Sequence, residues 1–284
     1  KTWADGYKHH SQHDITLVTM PAQSWKWRMR GGAISMARLL DVQPEVILAS
    51  SMIDLSIFRA LTYRSLGDVP IAMYFHENQL SYPQNQRQHH GWRYGFINYI
   101  SALVADANIF NSEFHRHDFM AQLPRLLKHF PDYNELQTID DIHAKSFVLP
   151  VGMGLRRFDS DAQPQNRDQP PLILWNHRWE EDKNPQAFID SMIELDQLGY
   201  NFRVAITGEN FQQEPALFTY ARKQLKDKLV QLGYMESFAN YARLLWEANY
   251  VVSTAYQEFF GIAICEPSIA IVSPSYRIAS IIPI

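Results

Sequence analysis

Short apolar runs rich in β-branched residues alternate with longer stretches whose apolar residues recur at helical spacing, and the chain does this in two successive series. Parallel strands need a crossover of a dozen or more residues between them, and helices supply it. In the first series Ile15–Thr19, Val46–Ala49, Ile71–Phe75, Asn108–Phe110 and Ser146–Leu149 read as strands. Helical patterns such as Ala33–Leu40, Ile57–Tyr63 and Tyr94–Val104 fall between them. The second series predicts strand Leu172–Trp175, helix Pro185–Leu198, strand Arg203–Thr207, helix Ala216–Leu225, strand Leu229–Leu232, helix Phe238–Glu247 and strand Tyr250–Ser253. Residues 159–171 hold three prolines and almost nothing apolar, so they read as a linker or surface loop. The expected fold class is α/β: two Rossmann-like parallel-sheet domains, residues 1–152 and 153–284, facing each other across a cleft. Both ends read as incomplete, and the tail after Glu266 lacks a glycine where a strand-to-helix crossover wants one.

Charge is distributed unevenly between the two series. Lysines and arginines outnumber acids 16 to 14 through residue 158, and acids outnumber bases 16 to 10 after it. Two domains with different partners fit that pattern. The single cysteine, Cys265, excludes an internal disulfide framework and fits a reducing, cytoplasmic compartment. No apolar run reaches membrane-spanning length. The histidines show no ligand spacing, so no metal is expected.

The densest chemistry is Glu258-Phe-Phe-Gly-Ile-Ala-Ile-Cys-Glu266, directly after a buried strand. Gly261 allows a backbone turn that a ligand can approach closely, and the helix it opens presents free N–H groups to a diphosphate. Glu266 would follow under two turns later, about 7–8 Å along the axis, an offset that suits a ribose diol. Glu258 would face a sugar. Two ordinary helix-end carboxylates remain the alternative. A second cluster, Leu174-Trp-Asn-His-Arg-Trp-Glu-Glu-Asp-Lys-Asn-Pro185, follows the first strand of the second series, where α/β sheets bind ligands. Arg178 and Lys183 can stabilise a departing diphosphate, or else form a salt-bridged loop with Glu180, Glu181 and Asp182. The third cluster, Phe75-His-Glu-Asn-Gln-Leu-Ser-Tyr-Pro83, places His76 and Glu77 at a strand end of the first domain, where loops commonly carry function.

Together with Pro150-Val-Gly-Met-Gly154, Thr207-Gly208 and Gly233-Tyr234, these clusters resemble the family-four retaining glycosyltransferases. More narrowly, His76–Pro83, Trp25-Lys-Trp-Arg-Met-Arg-Gly31 and Leu174-Trp-Asn-His-Arg-Trp-Glu resemble the glycosyltransferase-like group that includes the tRNA-queuosine α-mannosyltransferases. The resemblance runs from about Lys1 to Glu266 and implies a GT-B fold. It implies a nucleoside-diphosphate sugar as donor, GDP-mannose favoured, with neither metal nor organic cofactor. Arg178, Lys183, Glu258 and His76 then carry the chemistry. Asn176, Gly208, Tyr234, Phe260, Gly261 and Glu266 hold the donor.

The acceptor side is expected in the first domain. Ile15–Leu40 and Asn78–Ala105 contain no acidic residue. Trp25, Arg28, Arg30, Asn78, Gln79, Arg87 and Arg93 are the candidate contacts. Cations interleaved with aromatics suit RNA, through phosphate contacts and stacking on unpaired bases. The resemblance makes that RNA a tRNA, with queuosine offering the hydroxyl. Tryptophans packed in the core beneath solvated arginines, or a membrane-surface patch for a lipid-linked acceptor, are the alternatives left open.

Overall fold

The computed structural model describes residues 2–21, 23–81, 91–163, 166, 168–208, 216–268 and 277–280. The chain forms two compact units, Lys1–Met153 and Gly154–Ile284.

The first unit opens with helices α1 (Thr2–His10) and α2 (Trp25–Leu39). There follow β1 (Ile47–Ser50), α3 (Leu55–Leu66), β2 (Ile71–Phe75), α4 (Gly91–Val104), β3 (Ala107–Phe110), α5 (Glu113–Leu127), α6 (Thr138–Ala144) and β4 (Ser146–Val148). The four strands pair in parallel in their chain order. Right-handed crossovers between strands added in one direction put their helices on one face. Accordingly Ala33, Phe58, Tyr99, Phe119 and Ile142, from five different helices, share one core with Ile71, Met73 and Phe75 of β2. Asp54 caps α3 by accepting from the Ile57 N–H, and Ser112 caps α5 by accepting from the His115 N–H.

One sequence expectation fails in this unit: Ile15–Thr19 forms no strand. Its β-branched residues favour an extended chain, but a strand exists only when a neighbour completes its ladder. β1 at the sheet edge pairs with β2 alone among the described residues.

The second unit contains β5 (Leu172–Asn176), α7 (Pro185–Gln197), β6 (Arg203–Thr207), α8 (Ala216–Leu225), β7 (Leu229–Leu232), α9 (Phe238–Glu247), β8 (Tyr250–Ser253), the single-turn α10 (Ile262–Cys265) and β9 (Arg277–Ser280). The parallel sheet has the order β7-β6-β5-β8-β9. Strand order therefore reverses between β5 and β8, which opens a crevice at their carboxyl ends. Alternation along β5 separates two cores. Ile173 and Trp175 pack with Phe188 of α7 and Ala221 of α8, while Leu172 and Leu174 pack with Ala242 and Leu245 of α9.

Residues 159–171 lie inside this unit. The 3-10 helix Leu155–Asp161 that precedes the prolines buries Phe158 completely against α9. Beyond Glu266 the chain returns a strand: β9 pairs Arg277–Ser280 in register with Tyr250–Ser253. No described helix is long and apolar enough to cross a membrane.

Candidate functional site

The carboxyl ends of β5 and β8 carry the charged residues of the second unit. After β5 the chain turns through Asp182 and Lys183 and enters α7 at Asn184, whose left-handed backbone (φ +48°) and side chain cap the helix ahead of Pro185. After β8, Thr254 and Tyr256 stitch the next loop to that turn. The Thr254 hydroxyl lies 2.9 Å from the carbonyls of both Lys183 and Asn184, and Tyr256 donates its N–H to the Asp182 carbonyl at 2.8 Å. The buried Trp175 indole in turn donates to the Thr254 hydroxyl at 3.0 Å.

This stitching brings Glu258 to Lys183. The ammonium lies 3.0 Å from Glu258 Oε1 and 2.9 Å from Asp182 Oδ2. Burial alone would lower the Lys183 pKa, but the charges and hydrogen bonds of Glu258 and Asp182 outweigh it, and the net shift is upward. His177 is buried, with Nδ1 3.5 Å from the same Glu258 oxygen. Burial, reinforced by the Lys183 charge, lowers its pKa to about 4, so the ring is neutral near pH 7. Its buried Nε2 has no hydrogen-bond partner among the described residues. Gly208, after β6, runs so close that a Cβ there would stand 1.8 Å from the His177 carbonyl oxygen, and its φ of +144° suits only glycine.

Glu266 sits one short turn beyond Gly261 in a network of its own. Arg157 Nη2 is 2.9 Å from Oε1, and the Tyr241 hydroxyl donates to Oε2 at 2.6 Å. Asn176, the last residue of β5, donates to the Tyr241 oxygen at 2.7 Å.

The candidate residues fare differently. Lys183 and Glu258 are in contact, and Asn176 and Glu266 are linked through Tyr241. Arg178 turns instead to Glu180 at 3.2 Å, half exposed, so its segment is partly the salt-bridged loop that its composition allowed. Asn176 spends its amide inside the unit rather than facing outward. Tyr234 is 64% exposed just beyond β7, two strands away from β5. Phe260 is half-buried. Gly261 adopts φ +81° with open space where a Cβ would be, so conformation rather than crowding calls for glycine. The expected anion-binding helix is only Ile262–Cys265, too short for a cumulative macrodipole. Spacing did not single out His177, Asp182, Tyr241 or Arg157. His177 and Asp182 belong to the Leu174–Pro185 segment, and nothing local distinguishes the others.

In the first unit His76 follows β2, with its ring 4.6 Å from that of Tyr74 and 4.8 Å from that of Trp3. Burial lowers its pKa to about 4. Asn78 and Gln79, expected to meet an acceptor, are buried. The Asn78 side-chain Oδ1 accepts from the Leu80 and Ser81 N–H groups, and the Gln79 N–H donates to Asn98 Oδ1. They shape the loop instead of offering a surface. Trp25, Trp27 and Trp92 are exposed, which removes the reading that buried them in the core. Arg30 lies over the Tyr94 ring at 5.2 Å and Arg93 over Trp92 at 5.5 Å, while Arg28 is half-buried. Arg87 lies outside the described residues. Among the described residues no cluster of His, Cys, Asp or Glu is arranged to hold a metal ion.

A sequence profile described as tRNA-queuosine alpha-mannosyltransferase N-terminal matches residues 1–153, the span of the first unit. The tRNA-queuosine alpha-mannosyltransferase of Drosophila melanogaster is 33% identical over 262 residues, covering 89% of this chain and 69% of that protein. The chain belongs to the tRNA-queuosine alpha-mannosyltransferase family. That makes it a member of a family of glycosyltransferases.

Solved structures with the same fold include TarM (TM-score 0.57, 13% identity, 87% of this chain and 44% of that one). A trehalose-6-phosphate synthase analysed with bisubstrate glycomimetics gives TM-score 0.61 at 13% identity, over 94% and 66%. Sucrose-phosphate synthase from Thermosynechococcus elongatus gives 0.58 at 14%, over 94% and 63%. The chain thus spans less than two thirds of each, and the shared feature is the GT-B fold.

Proposed function

We propose that this chain transfers mannose from GDP-mannose, with retention of configuration, to a hydroxyl of queuosine in a tRNA anticodon. The supporting observation is the Lys183–Glu258 pair at the crevice of the second unit, with Glu266 a short turn away. A leaving nucleoside diphosphate gains negative charge, and a half-buried ammonium such as that of Lys183 stabilises it. Arg178, released from Glu180, adds a forked donor to the same phosphates. Glu258 takes the sugar hydroxyls and Glu266 the ribose diol. In the first unit, burial lowers the His76 pKa to about 4, so its ring is a neutral imidazole near pH 7. The acceptor hydroxyl attacks the face from which the diphosphate leaves, and its proton passes to the departing phosphate oxygen. No enzyme nucleophile is required.

On the acceptor side, the exposed Trp25, Trp27 and Trp92 and the cations Arg30 and Arg93 present stacking surfaces and phosphate contacts. The first unit takes the tRNA, and the family membership supports that choice. The deciding experiment incubates the protein with radiolabelled GDP-mannose and tRNA that contains or lacks queuosine. Label should enter only queuosine-containing tRNA. Label entering neither tRNA, or both alike, would overturn the reading, and donor consumed without tRNA would make the protein a hydrolase.

A further inference from the structure

Glu266 is held more tightly than a residue serving as an ordinary helix end requires. The two oxygens of its carboxylate receive one donor each, from Arg157 at 2.9 Å and from Tyr241 at 2.6 Å. A carboxylate offers about four acceptor positions, so roughly two remain open to a ligand. The direction of this hydrogen-bond chain is fixed from behind. The Asn176 amide nitrogen lies 2.7 Å from the Tyr241 oxygen and 3.4 Å from the Ala263 carbonyl, which orients the amide as a donor. The single Tyr241 proton is thereby directed to Glu266.

Both donors stand on a stiff frame. The Arg157 guanidinium lies over two rings, 4.8 Å from that of Phe158 and 5.3 Å from that of Phe238. Phe158 is fully buried, and its carbonyl accepts from the Trp246 indole at 2.9 Å. Arg243 reaches Asp161 at 3.5 Å. The 3-10 helix that carries Arg157 is thus fastened to α9, which carries Tyr241, so the two donors cannot easily drift apart.

We propose that Arg157 and Tyr241, with Asn176 behind Tyr241, are positioning residues that hold Glu266 ready for the vicinal diol of the donor's ribose. The proposal rests on the donor reading given above. It adds that recognition of the 2′-hydroxyl depends on residues that do not themselves touch the nucleotide.

The test compares GDP with 2′-deoxy-GDP by isothermal titration, using the whole chain, with UDP and 2′-deoxy-UDP as a second pair. Hydrogen bonds to a charged group are strong, so the wild-type protein should prefer GDP by about ten- to hundredfold. Tyr241→Phe keeps the ring and removes only the donor. It should weaken GDP until the preference falls below about threefold, with 2′-deoxy-GDP little changed. Arg157→Gln should act in the same direction. A merely structural role would weaken both nucleotides in parallel and leave their ratio intact, and that result overturns the proposal. If the wild type binds the ribose and deoxyribose forms alike, the assignment of Glu266 to the diol falls while nucleotide binding stands. If it binds neither GDP nor UDP, the donor reading itself falls. Should Arg157→Gln unfold, the nucleotide ratio of Tyr241→Phe alone decides between positioning and structure.

Discussion

Lys183 and Glu258, 3.0 Å apart, neutralise each other before any phosphate arrives, and Asp182 completes the arrangement at 2.9 Å. A diphosphate must therefore displace Glu258 or share the ammonium with it, and a released Glu258 is free for the sugar. Lys183→Ala should lower kcat/KM for GDP-mannose by about 10²–10³, the usual loss when one preorganised charge stabiliser is removed. Initial rates with radiolabelled donor and queuosine-containing tRNA measure it. A loss below about fivefold would remove Lys183 from the chemistry.

Gly208 is the most exacting position for packing. Any side chain there meets the His177 carbonyl and must also adopt φ +144°. Gly208→Ala should cost roughly 2–4 kcal/mol, combining backbone strain with overpacking. Urea denaturation of the variant reads this directly. An unchanged midpoint would mean that β6 and the segment after β5 do not approach as described.

Much of the fold is legible in the chain because parallel α/β construction writes its period there. β6, α8, β7, α9 and β8 fall where alternation and helical spacing put them. Ile15–Thr19 misleads because propensity says nothing about a partner strand. The site is legible only in part. Lys183 and Glu258 belong to recognisable clusters, but the Arg157–Glu266–Tyr241 network joins three distant segments. Arg157 sits just before residues that read as a linker, and no local spacing marks Tyr241. Side-chain direction is equally hidden: Asn78 and Gln79 look like surface amides until the loop folds around them.

Buried histidines make stability depend on pH in a definite direction. His177 titrates near 4 in the folded chain against an ordinary 6.5. Between those values the unfolded chain binds the extra proton, so stability falls as pH drops from 6.5 toward 4 and has no further His177 contribution below that. His115, buried and lowered to about 3, adds in the same direction. The His177 share of the slope is at most about 1.4 kcal/mol per pH unit. Denaturation midpoints measured from about pH 7 down to about pH 4.5 should show His177→Asn with a shallower slope than wild type. Equal slopes would mean that His177 is not held neutral.

Arg30 and Arg93 separate an RNA surface from an ordinary solvated face. Each guanidinium already lies over an aromatic ring, at 5.2 Å from Tyr94 and 5.5 Å from Trp92, so neither is spent on an acidic partner in those contacts. If they contact phosphates, each substitution removes released counterions as well as affinity. The slope of log K against log salt should become shallower by about 0.7–0.9 per arginine. Arg30→Ala and Arg93→Ala should therefore weaken tRNA binding most at low salt and converge on wild type as salt rises. Titrations at several salt concentrations, with queuosine-lacking tRNA included, separate this backbone term from recognition of the modified base. Identical slopes for wild type and the double variant would place the tRNA on another surface, and transfer by the double variant at wild-type kcat/KM would exclude the face altogether.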